Sequence, residues 1–482
     1  MDIMSYKEEV STSSTLPGEK KKFKLPHVFV LLFLMICFAA FLTHILPAGQ
    51  FDRQALEIGP NQVRQVLVPG SYHTVEPSPV GPFETMISIY KGMVAAADII
   101  FLVFLPYASF CIVVKTGAMN SFVSGLLHIT KGKDVLLIPL FSIVFSLGAS
   151  LFGMFSEFYG FIPLFVGLAI ALGYDAMVGL AIVGLSTGIG FAASMTNPYT
   201  VGIAQKVSEV PLFSGLGFRF FHWALFTAIA IWWTLRYARK VKRDPSTSLV
   251  NGTNYDHVAM KQEDIENNST SWRDRGVLSI VAVTMVLLVY GTLKKGWGFN
   301  ELCGLFLSMG ILSGLTAGWS PNRIAQEYSS ACSDVVGGAF VVGLARGVLV
   351  VLADGNVIDT VIYGLSLPLS GLPRFISAQG MLFTQTLINF FIPSGSGQAA
   401  TTMPIMAPLA DILGVTRQTA ILAFQYGDGF SNLLFPTSAN IVIMCGIAHV
   451  TLEQWWKFFI PLFGLSYLVQ MGLLVLAQLT GY

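Results

Sequence analysis

The chain has 482 residues, of which 54% are hydrophobic and 11% are charged, and its mean hydropathy is +0.66. This composition excludes an ordinary soluble protein and predicts an integral membrane protein in a lipid bilayer. The net charge is +1 and no basic stripe with interleaved aromatic residues occurs, so the sequence gives no reason to expect a nucleic-acid partner.

The chain begins with residues 1–26, a predicted cytoplasmic tail with four lysines between Lys20 and Lys24. The apolar run that follows, about 27–47, is predicted to be a retained first span. A cleaved signal peptide is the alternative, but the run is long and ends without a clear small-x-small cleavage site. Residues 50–82 contain several prolines and alternating polarity, which predict an extracellular cap or hairpin.

Apolar runs of about 17 to 25 residues predict about nine spans. They cover 27–47, 94–115, 176–207, 215–236, 276–293, 300–318, 336–354, 418–449 and 457–479, with 176–207 and 418–449 broken. Residues 135–172 and 375–413 are too long for one span and too polar at their centres for two. They predict re-entrant helical hairpins with tips at 153–160 and 393–400, where irregular backbone needs protein or water around it. The expected fold is an all-α polytopic membrane protein.

The two halves of the chain carry matching signatures. SEFYGFIP at 156–163 and GIGFAASMTNP at 188–198 correspond to SGSGQ at 394–398 and GDGFSN at 427–432, and Glu157 lies 241 residues before Gln398. Polar, helix-breaking segments at corresponding places predict an inverted-topology repeat transporter. The predicted parts are a first repeat at 27–236, a cytoplasmic linker at 237–275, an extra span at 276–299 and a second repeat at 300–482.

The distribution of lysine and arginine predicts the orientation. Most of these residues fall in segments assigned to the cytoplasm, as the positive-inside rule expects. With nine spans, the N-terminus is then cytoplasmic and the C-terminus is outside. The five cysteines are scattered singly in apolar stretches and are interpreted as packing residues, so no cofactor or structural metal is expected.

The predicted breaks are where solute and ion chemistry is expected. Helix N-termini at the hairpin tips suit a carboxylate, while unpaired carbonyls with Ser, Thr and Asn side chains suit Na+ or another small cation. Glu157 and Asp428 carry the most weight, because a carboxylate at mid-membrane depth is expensive and usually functional. The alternative is that each is a hydrogen-bonded structural group.

Arg346 is the basic residue placed deep in a span. It either forms a fork with a substrate carboxylate or pairs with an acidic residue as a structural bridge. The further candidates for solute or ion binding lie in the breaks. These candidates are Ser194, Thr196, Asn197, Ser394, Ser396, Gln398, Ser431, Asn432 and Thr437. If Na+ is the coupling ion, it is expected at Asn197 and Asn432.

Two other functional classes fit the sequence less well. An intramembrane enzyme would need a motif such as His-Glu-x-x-His, or a nucleophile with a histidine at matching depth, and the sequence has neither. A channel could use the same spans, but paired hairpins that close one site are more typical of carriers.

Several motifs resemble the YfcC and C4-dicarboxylate-carrier group of the ion transporter superfamily. They are QAATTMP at 398–404, AFQYGDGFSN at 423–432, PTS at 436–438, PAGQF at 47–51, VPGSYH at 68–73 and NPYTVGIAQ at 197–205. The resemblance implies a homodimeric carrier in the inner membrane of a bacterium that works by alternating access, either with Na+ or H+ coupling or by exchange. Its implied substrates are basic amino acids, in arginine and ornithine exchange, or C4-dicarboxylates.

The charges near the predicted breaks bear on this choice. A site for dicarboxylates would be expected to contain several basic groups. The predicted site has two acidic residues, Glu157 and Asp428, and one basic residue, Arg346, which suits a zwitterionic or cationic amino acid better. Both carboxylates could instead bind coupling ions, so the dicarboxylate alternative stays open.

Overall fold

The computed structural model describes residues 28–59, 62–129, 134–253, 255, 271–291, 295, 297, 299–334, 336–371 and 373–482. The predicted N-terminal tail and linker residues 254 and 256–270 lie outside this part. In the first half the helices are α1 (Val28–Ile45), α2 (Pro82–Ala95), α3 (Ala97–Lys115), α4 (Ala118–Ile129), α5 (Leu137–Phe152), α6 (Ile162–Ala171), α7 (Ala176–Leu180), α8 (Ser186–Ala192), α9 (Ile203–Val207) and α10 (Leu216–Arg243). In the second half they are α11 (Trp272–Tyr290), α12 (Phe299–Thr316), α13 (Pro321–Asp334), α14 (Val336–Asp354), α15 (Ile358–Ser366), α16 (Arg374–Phe391), α17 (Gly395–Ile412), α18 (Arg417–Ser431), α19 (Ala439–Ile447) and α20 (Leu452–Thr480).

The described part of the chain is predominantly helical, as predicted, and the strands within it are confined to one segment. They are β1 (Gly49–Gln50), β2 (Arg53–Gly59), β3 (Gln62–Leu67) and β4 (His73–Thr74), paired antiparallel as β1 with β4 and β2 with β3. The segment predicted as a cap or hairpin therefore contains a hairpin. It is tied to α15 in the second half, because Asp359 accepts hydrogen bonds from the Phe51 backbone N–H and from Arg53, each at 2.9 Å.

Three helices among the described residues are long and apolar enough to cross a membrane: Asp134–Phe152, Leu216–Arg243 and Leu452–Thr480. A fourth candidate is the pair Ala339–Asp354 and Ile358–Leu369, which is bent by 83°. The chain is thus a membrane protein, while the count of about nine spans stays a prediction. One arm of the predicted first hairpin, Asp134–Phe152, is itself long enough to span.

Each predicted hairpin contains two helices joined by a short turn. Helix α5 ends at Phe152 because Gly153 adopts a left-handed conformation with φ of 71°. A 3-10 turn, Ser156–Phe161, then leads into α6. The second turn is shorter than predicted: α16 ends at Phe391 and α17 begins at Gly395, so residues 395–400 are helical instead of forming part of the tip.

The two predicted broken spans are interrupted later than the glycine motifs suggested. The first is helical to Ala192, through a π-helical turn at Ala181–Leu185, and resumes at Pro198. The second is helical to Ser431 and resumes at Ala439. Asp428, expected inside a break, therefore lies in the last turn of α18.

Helix packing repeats between the halves. Helix α1 packs on α14 and α12 packs on α3, while α2 packs on α14 and α13 on α3. Likewise α5 packs on α8 and α16 on α18. Helix α11 packs on α12 and α4, and under this correspondence none of the described helices of the first half is its equivalent.

The predicted linker begins with ordered structure. Helix α10 continues to Arg243, past the predicted end of its span at 236, and α11 begins at Trp272, before the predicted 276. Ser248 donates to the Asp175 carboxylate at 2.7 Å, and Tyr255 donates to the His449 carbonyl at 3.1 Å. The described part of this segment is packed against the helices.

Candidate functional site

Both helix turns line one cavity of about 360 Å³, which we call the polar cavity. This volume is within the range of small-molecule sites. Tyr159 donates a 2.6 Å hydrogen bond to the Asn440 side chain, joining the two halves at its wall. The cavity is lined by Gly153, Phe155, Ser156, Glu157, Tyr159, Phe191, Tyr199, Thr200, Trp297, Leu302, Ser394, Gly395, Ser396, Ala439 and Asn440.

The first turn places Glu157 at the cavity. Its Oε2 accepts the Phe155 backbone N–H at 2.9 Å and lies 3.5 Å from the Ser156 hydroxyl. The side chain is half-buried, and none of the ion pairs among the described residues includes it. The carboxylate is therefore held by its own turn and remains available to a cationic group in the cavity.

The second turn brings a helix N-terminus to the same cavity. Ser394 caps α17, since its hydroxyl accepts the Gly397 backbone N–H at 3.3 Å, and Ser394 and Ser396 both line the cavity. A helix N-terminus carries partial positive charge and favours an anion. Gln398 is different from these serines: it is fully buried and donates to the Gln385 side-chain oxygen at 2.7 Å. Gln398 therefore joins α17 to α16 within the hairpin and does not line the polar cavity.

Asp428 lies behind the second turn. It is fully buried, and neither of its carboxylate oxygens has a hydrogen-bond partner in the described part of the chain. A methyl group on Gly395 would lie 2.9 Å from its Oδ2 and 2.5 Å from the Thr200 Cγ2, so all three residues meet at one point. The Thr200 hydroxyl is likewise buried without a described partner. A buried carboxyl group in this setting either binds a cation as the carboxylate or carries a proton.

The two asparagines predicted as Na+ ligands accept hydrogen bonds through their side-chain oxygens. Asn432 Oδ1 accepts from Asn389 at 3.2 Å and from Ser438 at 3.1 Å, and Asn389 also donates to Ser431 at 2.7 Å. Asn197 Oδ1 accepts the Tyr199 backbone N–H at 2.9 Å. These hydrogen bonds stabilise the breaks and leave one lone pair of the Asn197 oxygen available, and the charged Asp428 carboxylate is a stronger cation ligand than either amide.

The other candidates divide between the breaks and a second cavity. Ser194 donates to the Phe191 carbonyl, and Thr196 donates to the Leu151 carbonyl at 2.9 Å, so both hold the first break. Arg346 and Thr437 line a cavity of about 120 Å³ that also reaches Ser394. Arg346 is more than a third exposed and has no ion-pair partner among the described residues.

Sequence reasoning did not single out Arg219, which lies in the first turns of the predicted span 215–236. It is fully buried, with Nη1 3.5 Å from the Ser194 carbonyl oxygen, and its Nε and Nη2 have no partner in the described part. It therefore places positive charge at the first break, beside the C-terminal end of α8. The available signal was its position in the first turns of a predicted span.

The aromatic residues of the polar cavity were also missed, because nothing in an apolar run marks which rings face a cavity.

The fit of Gly153 against Asn197 gives a test of the first turn. A methyl group at Gly153 would lie 2.3 Å from the Asn197 Oδ1, whereas one at Gly173 meets nothing within 4 Å. Both glycines have positive φ, so alanine strains both backbones similarly, by about 1 kcal/mol. We expect Gly153→Ala to slow solute counterflow by about tenfold to 100-fold, as a displacement of about 1 Å at a site can. Gly173→Ala should transport normally, and equal losses in both variants would contradict this packing.

Comparisons with known proteins agree with the resemblance in the motifs. A protein of Escherichia coli named "Putative basic amino acid antiporter YfcC" is 33% identical over 96% of this chain and 98% of its own length. A Haemophilus influenzae protein is 27% identical, over 95% and 97% of the two chains. Among solved structures, the YdaH transporter of Alcanivorax borkumensis gives a TM-score of 0.41 at 15% identity, covering 95% of this chain and 99% of that one. MtrF of Neisseria gonorrhoeae gives 0.41 at 17% identity, covering 94% and 95%. The sequence model of one protein family, DcuC, the C4-dicarboxylate anaerobic carrier family, matches residues 25–479. The chain belongs to this family of transporters.

Proposed function

We propose that the chain is a secondary active transporter that exchanges basic amino acids of the arginine or ornithine type across the inner membrane of a bacterium. The observation that carries this proposal is the lining of the polar cavity. Glu157 is the one charged residue among its described lining residues, and five aromatic rings line the same cavity, those of Phe155, Tyr159, Phe191, Tyr199 and Trp297.

This lining suits a cation with a carboxylate at its other end. A guanidinium or ammonium group is attracted by Glu157 and by the faces of aromatic rings. The α-carboxylate of the same amino acid would meet the N-terminus of α17 at Ser394 and Ser396. A dianion would instead meet the negative charge of Glu157 without a basic side chain among the described lining residues.

Asp428 supplies the coupling step in this proposal. Na+ or H+ would neutralise its unpartnered carboxylate, with the Thr200 hydroxyl beside it. Because Gly395 lies between Asp428 and the polar cavity, occupancy of the cation site would bias the position of the second turn. The carboxylate would thereby couple ion binding to solute binding.

The transport cycle follows from an inverted-repeat architecture. We propose two repeats with re-entrant hairpins, about nine spans in total, a cytoplasmic N-terminus and an outside C-terminus, assembled as a homodimer. The corresponding helix pairs of the two halves and the breaks in corresponding places support the repeat. Movement of one hairpin-bearing unit against the rest would then expose the site alternately to the two sides.

A C4-dicarboxylate carrier is the second candidate. It is favoured by the description of the family and by Arg346, which faces the small cavity that shares Ser394 with the polar cavity. In that case Glu157 and Asp428 would both bind coupling ions.

Ligand-dependent thermal stability of the purified protein separates the two candidates. A ligand at about 100 times its Kd stabilises the folded state by roughly 2.7 kcal/mol, which raises the melting temperature measurably. We expect arginine and ornithine to raise it and succinate and fumarate to leave it unchanged. Stabilisation by the dicarboxylates alone would replace the basic amino acid proposal with the second candidate.

A further inference from the structure

A second large cavity lies on the other side of the first turn. It has a volume of about 440 Å³, and every described residue that lines it is apolar. Helices α4, α5, α6 and α11 surround it, and phenylalanines dominate its inner wall, among them Phe141, Phe145, Phe158, Phe161 and Phe165. We call it the apolar cavity.

The first turn, residues 153–158, separates the two cavities. Gly153, Phe155 and Glu157 face the polar cavity, whereas Met154 and Phe158 face the apolar one. Neighbouring residues of a single turn thus point to opposite sides. Whatever fills the apolar cavity supports the turn that carries Glu157.

The apolar cavity opens sideways between α5 and α11. Val144 lines it and is 53% exposed, and Ala282 lines it and is also exposed. The surface around this mouth is apolar, with Leu140 at 53% and Val283 at 57% exposure. Exposed apolar side chains on long apolar helices face lipid tails in a membrane protein.

A basic residue lies above the mouth. Arg275 is exposed at the start of α11, and Leu278, Ala282 and Met285 follow it at helical spacing on the cavity side. No ion pair among the described residues includes Arg275. The neighbouring Asp274 is engaged, since it caps α11 and accepts from Ser121 at 3.0 Å.

The distances fit one kind of ligand. Arg275 lies about 15 Å along the helix from Met285, at a rise of about 1.5 Å per residue. A phosphate at Arg275 would therefore place an attached hydrocarbon chain at the mouth and interior of the apolar cavity. We propose that this cavity binds one acyl chain of an anionic phospholipid, whose headgroup contacts Arg275. The acyl chain packs against Met154 and Phe158 and thereby supports the first turn on its apolar side.

Photo-cross-linking tests the site directly. Full-length protein is reconstituted with phosphatidylglycerol that carries a diazirine in its acyl chain, irradiated, and mapped by peptide mass spectrometry. We expect adducts in α5, α6 and α11 at residues that line the apolar cavity. Ala282→Trp fills the cavity and should reduce these adducts about tenfold, the equivalent of one decade in affinity.

Val283→Trp is the matched control, because it adds the same side chain to the outward face of α11 and should leave the adducts unchanged. Arg275→Gln should reduce the preference for phosphatidylglycerol over phosphatidylcholine about fivefold, as expected for one basic residue at an anionic membrane. Undiminished adducts in Ala282→Trp, or cross-links to a second copy of the chain in place of lipid, would overturn the proposal. Because the readout is lipid attachment, it is independent of which solute is transported.

Discussion

Asp428→Asn is expected to abolish transport while leaving the protein folded. The carboxylate is fully buried and neither oxygen has a hydrogen-bond partner in the described part of the chain, so an asparagine of nearly the same size keeps the packing and loses no described hydrogen bond. Its negative charge is what would attract Na+ or H+, and asparagine keeps the shape without the charge. We expect transport to fall by at least about 100-fold, equivalent to roughly 2.7 kcal/mol.

The structural alternative for Asp428 predicts the opposite pattern. Removing an uncompensated buried charge should leave the melting temperature unchanged or raise it, whereas removing a structural hydrogen-bonding group should lower it. Asp411→Asn is the control, because Asp411 is about half exposed and pairs with Arg417 at the surface. Wild-type transport by Asp428→Asn would remove this residue from the site.

Glu157→Gln is expected to weaken the binding of basic amino acids. The carboxylate is the one negative charge among the described residues of the polar cavity, while the five aromatic rings remain in the variant. Hydrogen bonds to charged groups contribute about 1.5–3 kcal/mol, so the Kd for arginine should rise by about tenfold to 100-fold. Isothermal titration of arginine into the purified variants measures this change.

Two variants complete the Glu157 experiment. Glu157→Asp keeps the charge and should retain part of the affinity, whereas Glu209→Gln removes a mostly exposed surface carboxylate and should have no effect. If the natural solute were a dicarboxylate, Glu157→Gln would leave or improve its binding and arginine would not bind either protein. That pattern would contradict the assignment of Glu157 to the cationic end of the solute.

The helix breaks were predictable because they leave a local signal. Glycine and polar residues inside apolar runs mark Gly153 and Ser394, and the structure interrupts the helices there. The exact ends were not predictable. Gly188–Ala192 and Gly427–Ser431 stay helical, and their glycines let the two helices pack closely, as at Gly429, where a methyl group would lie 2.3 Å from the Ala192 Cα.

The roles of individual polar residues required the tertiary structure. Gln398 occupies the predicted second tip, yet its side chain turns towards Gln385, because the face that α17 presents to the cavity is set by its neighbours. Asn432 has the right chemistry for a cation ligand, but Asn389 and Ser438 already occupy its oxygen. For Arg219 the sequence offered only its position in a predicted span, since its contact with the Ser194 carbonyl oxygen in the first break joins residues 25 positions apart.

Counterflow in proteoliposomes tests the central claim most directly. Vesicles are loaded with unlabelled arginine, ornithine or succinate, and uptake of each labelled solute is followed with and without a Na+ gradient. We predict saturable exchange of arginine with ornithine, which a channel would not show, and its loss in Asp428→Asn. Exchange confined to C4-dicarboxylates, with no flux of basic amino acids, would contradict the account.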